Sequence, residues 1–121
     1  MAASHSNLRT RIHGEHDALI LTPLARRLRS RELVELVGQL AAMLHQCQEH
    51  TIIINFAHVR RLSFAACAFL VQMERLAAQT GHELSVRNPP ARLRSKMMLY
   101  HIEELIDEHR QTELKVPASQ E

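Results

Sequence analysis

The side chains of this sequence best suited to binding a ligand or partner lie in one short segment, His58-Val59-Arg60-Arg61-Leu62-Ser63. An imidazole, two guanidinium groups and a hydroxyl occur there within a few residues. Guanidinium groups bind carboxylates and phosphates. A run of β-branched apolar residues precedes the segment, and a long stretch of helix formers follows it. In parallel sheets, ligands and partners dock at the carboxyl ends of strands, so we expect the binding site here.

The remaining reactive side chains do not form a catalytic or metal-binding set. Among the nine histidines, His13 and His16 flank a predicted turn, and His45 and His50 lie near one predicted helix end. No histidine pair has the i, i+4 spacing beside a third ligand that a helical metal site needs. The sequence contains no phosphate-binding glycine loop and no plausible Ser/His/Asp or Cys/His set. We therefore predict a non-enzyme without catalytic residues, metal or cofactor.

Composition predicts one globular domain of 121 residues with an aliphatic core, because the chain has no Trp, one Tyr and three Phe. The net charge of +2 is too small for a dedicated nucleic-acid binder, and we predict no nucleic acid as partner. Cys47 and Cys67 do not form a C-x-x-C pair, which favours reduced thiols in a cytoplasmic protein. No apolar run suits a signal peptide or a membrane span, so we predict no membrane insertion.

Apolar periodicity predicts the elements that hold the segment in place. The run from Thr51 is apolar without alternation, as expected for a strand buried on both faces. Ser30 is the predicted N-cap of the first helix, and Gly81 the left-handed residue that ends the second. The predicted order is strands at 8–12 and 18–21, a helix at 31–49, a strand at 51–56, a helix at 64–79, a strand at 83–87, a helix at 90–99, and a short strand or helix at 105–106.

This order predicts the α/β class, with a mostly parallel central sheet of four to five strands covered by helices in a single domain. The hairpin of the first two strands would place strand 8–12 at the sheet edge. We expect the domain to span residues 8–110, between a disordered N-terminus (1–7) and a flexible tail (111–121).

The second predicted helix carries more apolar residues than one sheet-facing stripe needs. Phe64, Cys67, Ala68 and Val71 form an additional stripe in its first two turns. Either the tail or a neighbouring helix covers this stripe, or it is a docking surface for another protein.

The landmarks of the chain resemble those of the STAS domain family, which includes anti-sigma factor antagonists and the cytoplasmic tails of sulfate transporters. In that family an apolar strand ends in Asp and is followed by L-S-G-V-x-x-I and D-S-S-G-L-G. Asn55 stands at the first Asp, Val59 at the Val and Ser63 at the second Asp. The segment 81–91, GHELSVRNPPA, resembles the family's last strand and the opening of its third helix. The likeness covers residues 8–106.

The resemblance implies a non-catalytic protein–protein interaction module in partner-switching regulation of bacterial transcription. In the antagonists, a kinase-type anti-sigma factor phosphorylates a serine of D-S-S-G. Here Phe64 and Ala65 occupy the two serine positions and Ala66 follows, so the usual switch is not expected. Ser63 is the remaining hydroxyl, either an N-cap that accepts the N–H of Ala65 or Ala66, or a phosphorylation site. The predicted partner-binding residues are His58, Arg60, Arg61, Ser63, Phe64, Cys67, Ala68 and Val71.

Three alternatives stay open. The partner could be an anti-sigma factor, another STAS protein or a second copy of this chain. A nucleotide or other small molecule could bind the same loop through Arg60 and Arg61. A related STAS subfamily serves as an accessory subunit of lipid-transport ABC systems and has D-T-G-G at the motif, where Phe64 replaces the Thr.

Overall fold

A four-stranded mixed sheet forms the centre of the computed structural model, which describes residues 8–107. The elements along the chain are β1 (Thr10–Glu15), β2 (Ala18–Pro23), β3 (Arg27–Leu28), α1 (Ser30–Leu44), β4 (Thr51–Asn55), β5 (Arg61–Leu62), α2 (Ala66–Gln79), β6 (Glu83–Arg87) and α3 (Ala91–Leu99), followed by a 3₁₀ turn at Glu103–Leu105.

The sheet has the order β1-β2-β4-β6, with β1 at one edge. β1 and β2 form an antiparallel hairpin, whereas β2 pairs with β4, and β4 with β6, in parallel. His16 lies in the two-residue hairpin turn with a φ of 57°, in the left-handed region that such turns require. The predicted α/β class, the mostly parallel sheet and the edge hairpin are therefore confirmed.

The central strand is buried on both faces, as its apolar run predicted. Ile52 and Ile54 point into the main core between the sheet and the helices. Ile53 points to the opposite face, where it packs with Ala18 and Ile20 in a smaller cluster. This two-sided burial explains why the strand shows no alternation of apolar and polar residues.

The helices cover one face of the sheet, and each contributes buried side chains at helical spacing to the main core. The helix residues buried there are Leu33, Leu36, Leu40 and Leu44 of α1, Ala66, Cys67, Leu70, Met73 and Ala77 of α2, and Leu93 and Met97 of α3. α2 contacts α1 on one side and α3 on the other. Gly81 has a φ of 82° after α2, which confirms the predicted left-handed cap.

The described part of the chain ends beside β6. The last element, predicted to be a short strand or a helix, consists of the 3₁₀ turn followed by a β-bridge. After the 3₁₀ turn, Ile106 forms a parallel bridge to Val86. Arg87 donates to Asp107 Oδ2 from Nε at 3.2 Å and from a terminal nitrogen at 3.0 Å, and its other terminal nitrogen lies 3.2 Å from Glu15 Oε1. The carboxylate of Asp107 is buried, so this pair fixes the closing segment to the sheet.

The predicted boundaries of α1, of α2 and of the first strand are wrong. α1 ends at Leu44 rather than residue 49, because the N–H groups of Gln46 and Cys47 both donate to the Met43 carbonyl and close the helix in a turn. Its N-cap is Arg29 rather than Ser30, since the Arg29 N–H donates to the Glu32 carboxylate at 2.8 Å.

Likewise, α2 begins at Ala66 rather than Phe64, after a turn closed by the Ala66 N–H donating to the Ser63 carbonyl. The first strand lies at Thr10–Glu15 rather than 8–12, because its pairing with β2 continues to the two-residue turn. The predicted disordered N-terminus, flexible tail and domain end at residue 110 lie outside the described residues.

Candidate functional site

The turn that leaves β4 is fixed to the neighbouring strand by Asn55. Its side-chain oxygen accepts the N–H of Ala57 at 3.1 Å and the side-chain amide of Asn88 at 3.0 Å. Asn88 has a φ of 57°, a conformation that asparagine tolerates better than most residues. Val59 is buried in the main core and anchors the loop from below. Asn55 and Val59 therefore shape the loop.

A two-residue ribbon, absent from the sequence prediction, joins this loop to the segment before α1. β3 and β5 pair in parallel, with Arg27 opposite Arg61. The Arg26 carbonyl accepts the N–H groups of Arg60 and Arg61, at 2.7 and 2.9 Å, and the Leu28 carbonyl accepts that of Ser63 at 2.8 Å. Arginines from two distant segments are thus held side by side by backbone hydrogen bonds.

Ser63 is engaged by its surroundings at the end of this ribbon. Its Oγ accepts the N–H of Ala65 at 3.1 Å and lies 3.2 Å from the Oγ of Ser30, the first residue of α1. The N–H at Ala65 is one of the two that the N-cap interpretation named. Because Ala65 itself is the N-cap of α2, Ser63 stabilises the turn before the helix rather than the helix terminus.

Phe64 projects into solvent from this turn, with 84% of its surface exposed. The ammonium group of Lys96, from α3, lies 5.6 Å from the centre of the ring, within cation–π distance. The ring therefore contributes little to the core and is accessible to a partner.

Two grooves flank Phe64. The first, of about 490 Å³, lies between the start of α2 and α3, and we call it the basic groove; its lining is Leu62, Ser63, Phe64, Ala66, Cys67, Ala91, Arg92, Leu93, Ser95 and Lys96. The second, of about 370 Å³, lies toward the end of α3, and we call it the apolar groove; its lining is Phe64, Ala65, Cys67, Ala68, Val71, Tyr100 and Ile102.

A third cavity, of about 610 Å³, continues the basic groove toward β5, and Arg60, Arg61 and Arg92 line it together with Leu62, Pro90 and Ala91. We refer to Phe64 and the lining of its two flanking grooves as the Phe64 surface. Its centre is apolar, and its α3 side and the adjoining third cavity are cationic.

The sequence matches the family model described as "Mlab, STAS domain" over residues 8–107. The chain belongs to this STAS domain family. A comparison with curated proteins found no match.

Solved structures share the STAS fold at low sequence identity. The Bacillus cell fate determinant SpoIIAA in its phosphorylated form has a TM-score of 0.65 at 12% identity, covering 81% of this chain and 88% of that chain. The anti-sigma factor antagonist SpoIIAA in its unphosphorylated form has a TM-score of 0.60 at 13% identity, covering 74% of this chain and 82% of that one. A structure of Mglu has a TM-score of 0.54 at 18% identity, covering 68% of this chain and 20% of that chain.

The predicted partner-binding residues divide into three groups on this STAS fold. Ser63, Phe64, Ala68 and the half-buried Val71 lie on the Phe64 surface, while Arg60 and Arg61 line the adjoining cavity. Cys67 is only 6% exposed and forms the floor between the two grooves. Burial raises the pKa of its thiol, with a small opposing effect from Lys96. His58 is exposed and lines none of these three cavities.

Sequence reasoning did not assign several residues of the site, among them Arg92, Lys96 and Tyr100 of the Phe64 surface and Ser30, which lies beside Ser63. Arg92 and Lys96 both belong to α3. Their spacing of four residues on α3 places them on one helix face, which is the signal that could have linked them. Nothing in the sequence indicated that this face meets Phe64, because the contact depends on how α3 packs against α2.

A fourth cavity, of about 630 Å³, lies beside β6 and is polar. Its lining includes His50, His82, Glu74, Glu83 and Glu104. Within residues 8–107, no three His, Cys, Asp or Glu side chains are placed to hold a metal ion together. No helix of this described range is long and apolar enough to cross a membrane.

Proposed function

We propose that this chain is a non-catalytic STAS interaction module that binds a partner protein through the Phe64 surface. The observation that carries the proposal is the exposure of Phe64 between two grooves. Full burial of a phenylalanine side chain contributes roughly 1.5–3 kcal/mol, and here nearly all of that area is available to a partner. The opposite side of α2 is occupied by the core, so the partner meets its exposed first turns.

The module would act in partner switching of the anti-sigma factor antagonist type, in the bacterial cytoplasm, without the serine switch of that class. Phe64 and Ala65 stand at the two serine positions, which supports this difference. The Ser63 hydroxyl accepts the N–H of Ala65 and lies within hydrogen-bond distance of the Ser30 hydroxyl. An apolar side chain at the position of the family's serine suits a complex that persists, with an anti-sigma factor or another STAS protein as the partner.

The test is affinity capture from the native host with three versions of the chain: wild type, Phe64→Asp and Val34→Asp. Val34, on α1, is 58% exposed and lines none of the three cavities around Phe64, so it is a matched control for placing Asp at an exposed apolar site. We expect at least one protein to be recovered by wild type and Val34→Asp and lost with Phe64→Asp. Equal recovery by all three versions would place the interface elsewhere. An added phosphate on Ser63, detected by intact mass, would restore a switch.

A second candidate is a nucleotide or other phosphate-bearing small molecule bound in the cavity of Arg60, Arg61 and Arg92. A ligand at 100 times its Kd stabilises the folded state by about 2.7 kcal/mol, which a thermal melt detects. We expect any such shift to disappear in Arg60→Gln/Arg61→Gln. No shift at millimolar nucleotide removes this candidate.

The family model names Mlab, so an accessory subunit of a transporter is a third candidate. Recovery of an ABC ATPase that Phe64→Asp fails to bind would support this assignment over an anti-sigma factor.

A further inference from the structure

We propose that the Phe64 surface takes a net-acidic segment of another protein that also carries large apolar side chains. This inference rests on the proposed function and specifies the chemistry of the partner.

The charge of the site is one-sided. Arg60, Arg61, Arg92 and Lys96 line the basic groove and the adjoining cavity. Among the described residues, 8–107, no Asp or Glu contributes to these linings or to that of the apolar groove. The salt bridges of residues 8–107 join Arg87 to Glu15 and Asp107, away from this cationic set. Arg27 and Arg61, in register on the ribbon, add like charge that an anionic partner would relieve.

The placement of Lys96 joins the charged and apolar halves. Its ammonium group lies over the Phe64 ring and also borders the basic groove. A carboxylate in that groove can pair with Lys96 and Arg92, while an apolar side chain contacts Phe64 from the apolar groove. Such a segment is recognised by both features, and a neutral or basic segment would leave the cationic groups uncompensated.

The observations disfavour a second copy of this chain. Face-to-face pairing would bring the two cationic sets together. The fourth cavity offers carboxylates for head-to-tail pairing, but its large apolar members Leu84, Leu105 and Ile106 are buried and cannot reach Phe64. A lipid surface is disfavoured because the apolar side chains beside Phe64 line concave grooves, which a bilayer does not fill.

The test is selection from a display library of random peptides on the purified chain, followed by Kd measurement on the enriched peptides by fluorescence anisotropy. We expect enriched sequences to be net acidic with large apolar residues. Lys96→Glu should weaken their binding about tenfold. Phe64→Asp should abolish it, whereas Arg11→Glu, on the far edge strand, and Val34→Asp should retain it.

Raising salt from about 0.1 to about 1 M shortens the Debye length from about 10 to about 3 Å, so wild-type affinity should fall across this range. Enrichment of neutral or basic peptides overturns the inference. The inference also fails if no enriched peptide loses binding to the Phe64→Asp variant. Two other results overturn it as well: the wild-type chain binds phosphatidylglycerol vesicles, or it self-associates in sedimentation, and Phe64→Asp abolishes that behaviour. Capture of a host partner that depends on Phe64 but not on Lys96 or salt would leave the proposed function standing and overturn only the partner chemistry.

Discussion

Replacing Ser63 by alanine separates a structural role of this hydroxyl from a regulatory one. The substitution leaves the part-buried N–H of Ala65 without its side-chain acceptor. A hydrogen bond of this kind contributes about 1 kcal/mol to stability, within a range of roughly 0.5–1.5. The Ser30 hydroxyl also loses its neighbour, but this contact is exposed and water replaces it at little cost. We therefore expect the free energy of unfolding to fall by about 1 kcal/mol.

The comparison variants are Ser30→Ala and Ser63→Asp. Ser30→Ala removes only the exposed hydroxyl contact, so the change should stay within about 0.5 kcal/mol. Ser63→Asp supplies a carboxylate acceptor for the same N–H near the start of α2, where negative charge is favoured, and should recover most of the loss. It also places an anion beside the cationic groove and should weaken binding of an acidic partner.

Urea denaturation followed by far-UV circular dichroism measures these differences, and a thermal melt provides a second estimate. For a domain of this size, 1 kcal/mol corresponds to a Tm shift of about 4–8 °C. A Ser63→Ala variant as stable as wild type would refute the role given to the Ser63–Ala65 hydrogen bond. So would a Ser30→Ala variant whose free energy of unfolding falls as much as that of Ser63→Ala.

Three further predictions concern the site and the closing segment. Phe64→Ala should change the free energy of unfolding by less than about 1 kcal/mol, since it removes only an exposed ring and a cation–π contact. Met73 is fully buried, so Met73→Ala should lower the free energy of unfolding by about 2–5 kcal/mol in the same urea assay. Arg87→Met should cost about 3–5 kcal/mol because the buried Asp107 carboxylate loses both hydrogen bonds from the Arg87 guanidinium, and adding Asp107→Asn should recover part of this loss. The pKa of both thiols, Cys47 and Cys67, is raised by burial, and at Cys47 also by Glu49. Their reaction with a disulfide reagent near neutral pH should therefore be slower than that of the unfolded chain and should accelerate as pH rises. Reaction rates of the native chain equal to those of the unfolded chain would contradict this.

The parts of the fold that the sequence predicted are those in which local pattern and tertiary burial agree. Ile52, Ile53 and Ile54 form a strand covered on both sides, and an unbroken apolar run is the pattern of such a strand. Gly81 ends α2 because its backbone conformation favours glycine. The boundary errors arose where side chains or turns compete with helix propensity, as at Ser63 and after Leu44.

The parts that the sequence did not predict depend on non-local packing. Two alternatives were open for the extra apolar stripe of α2. Cys67 is covered, whereas Phe64 and Ala68 are exposed, and a docking surface at these exposed residues stays a prediction. Periodicity assigns these residues to one stripe and cannot tell which of them the neighbouring elements reach. The ribbon of β3 and β5 is only two residues long on each side, too short for any strand pattern.

The ribbon of β3 and β5 sets the geometry of the loop that precedes Phe64. The loop is held by backbone hydrogen bonds from Arg60, Arg61 and Ser63 to the segment before α1, and these bonds do not depend on which side chains occupy the motif. Phe64 therefore changes what the turn presents to a partner without changing where the turn lies. A turn that is already held by these bonds can bind without the entropy cost of ordering a loop, which would favour the persistent complex that we propose.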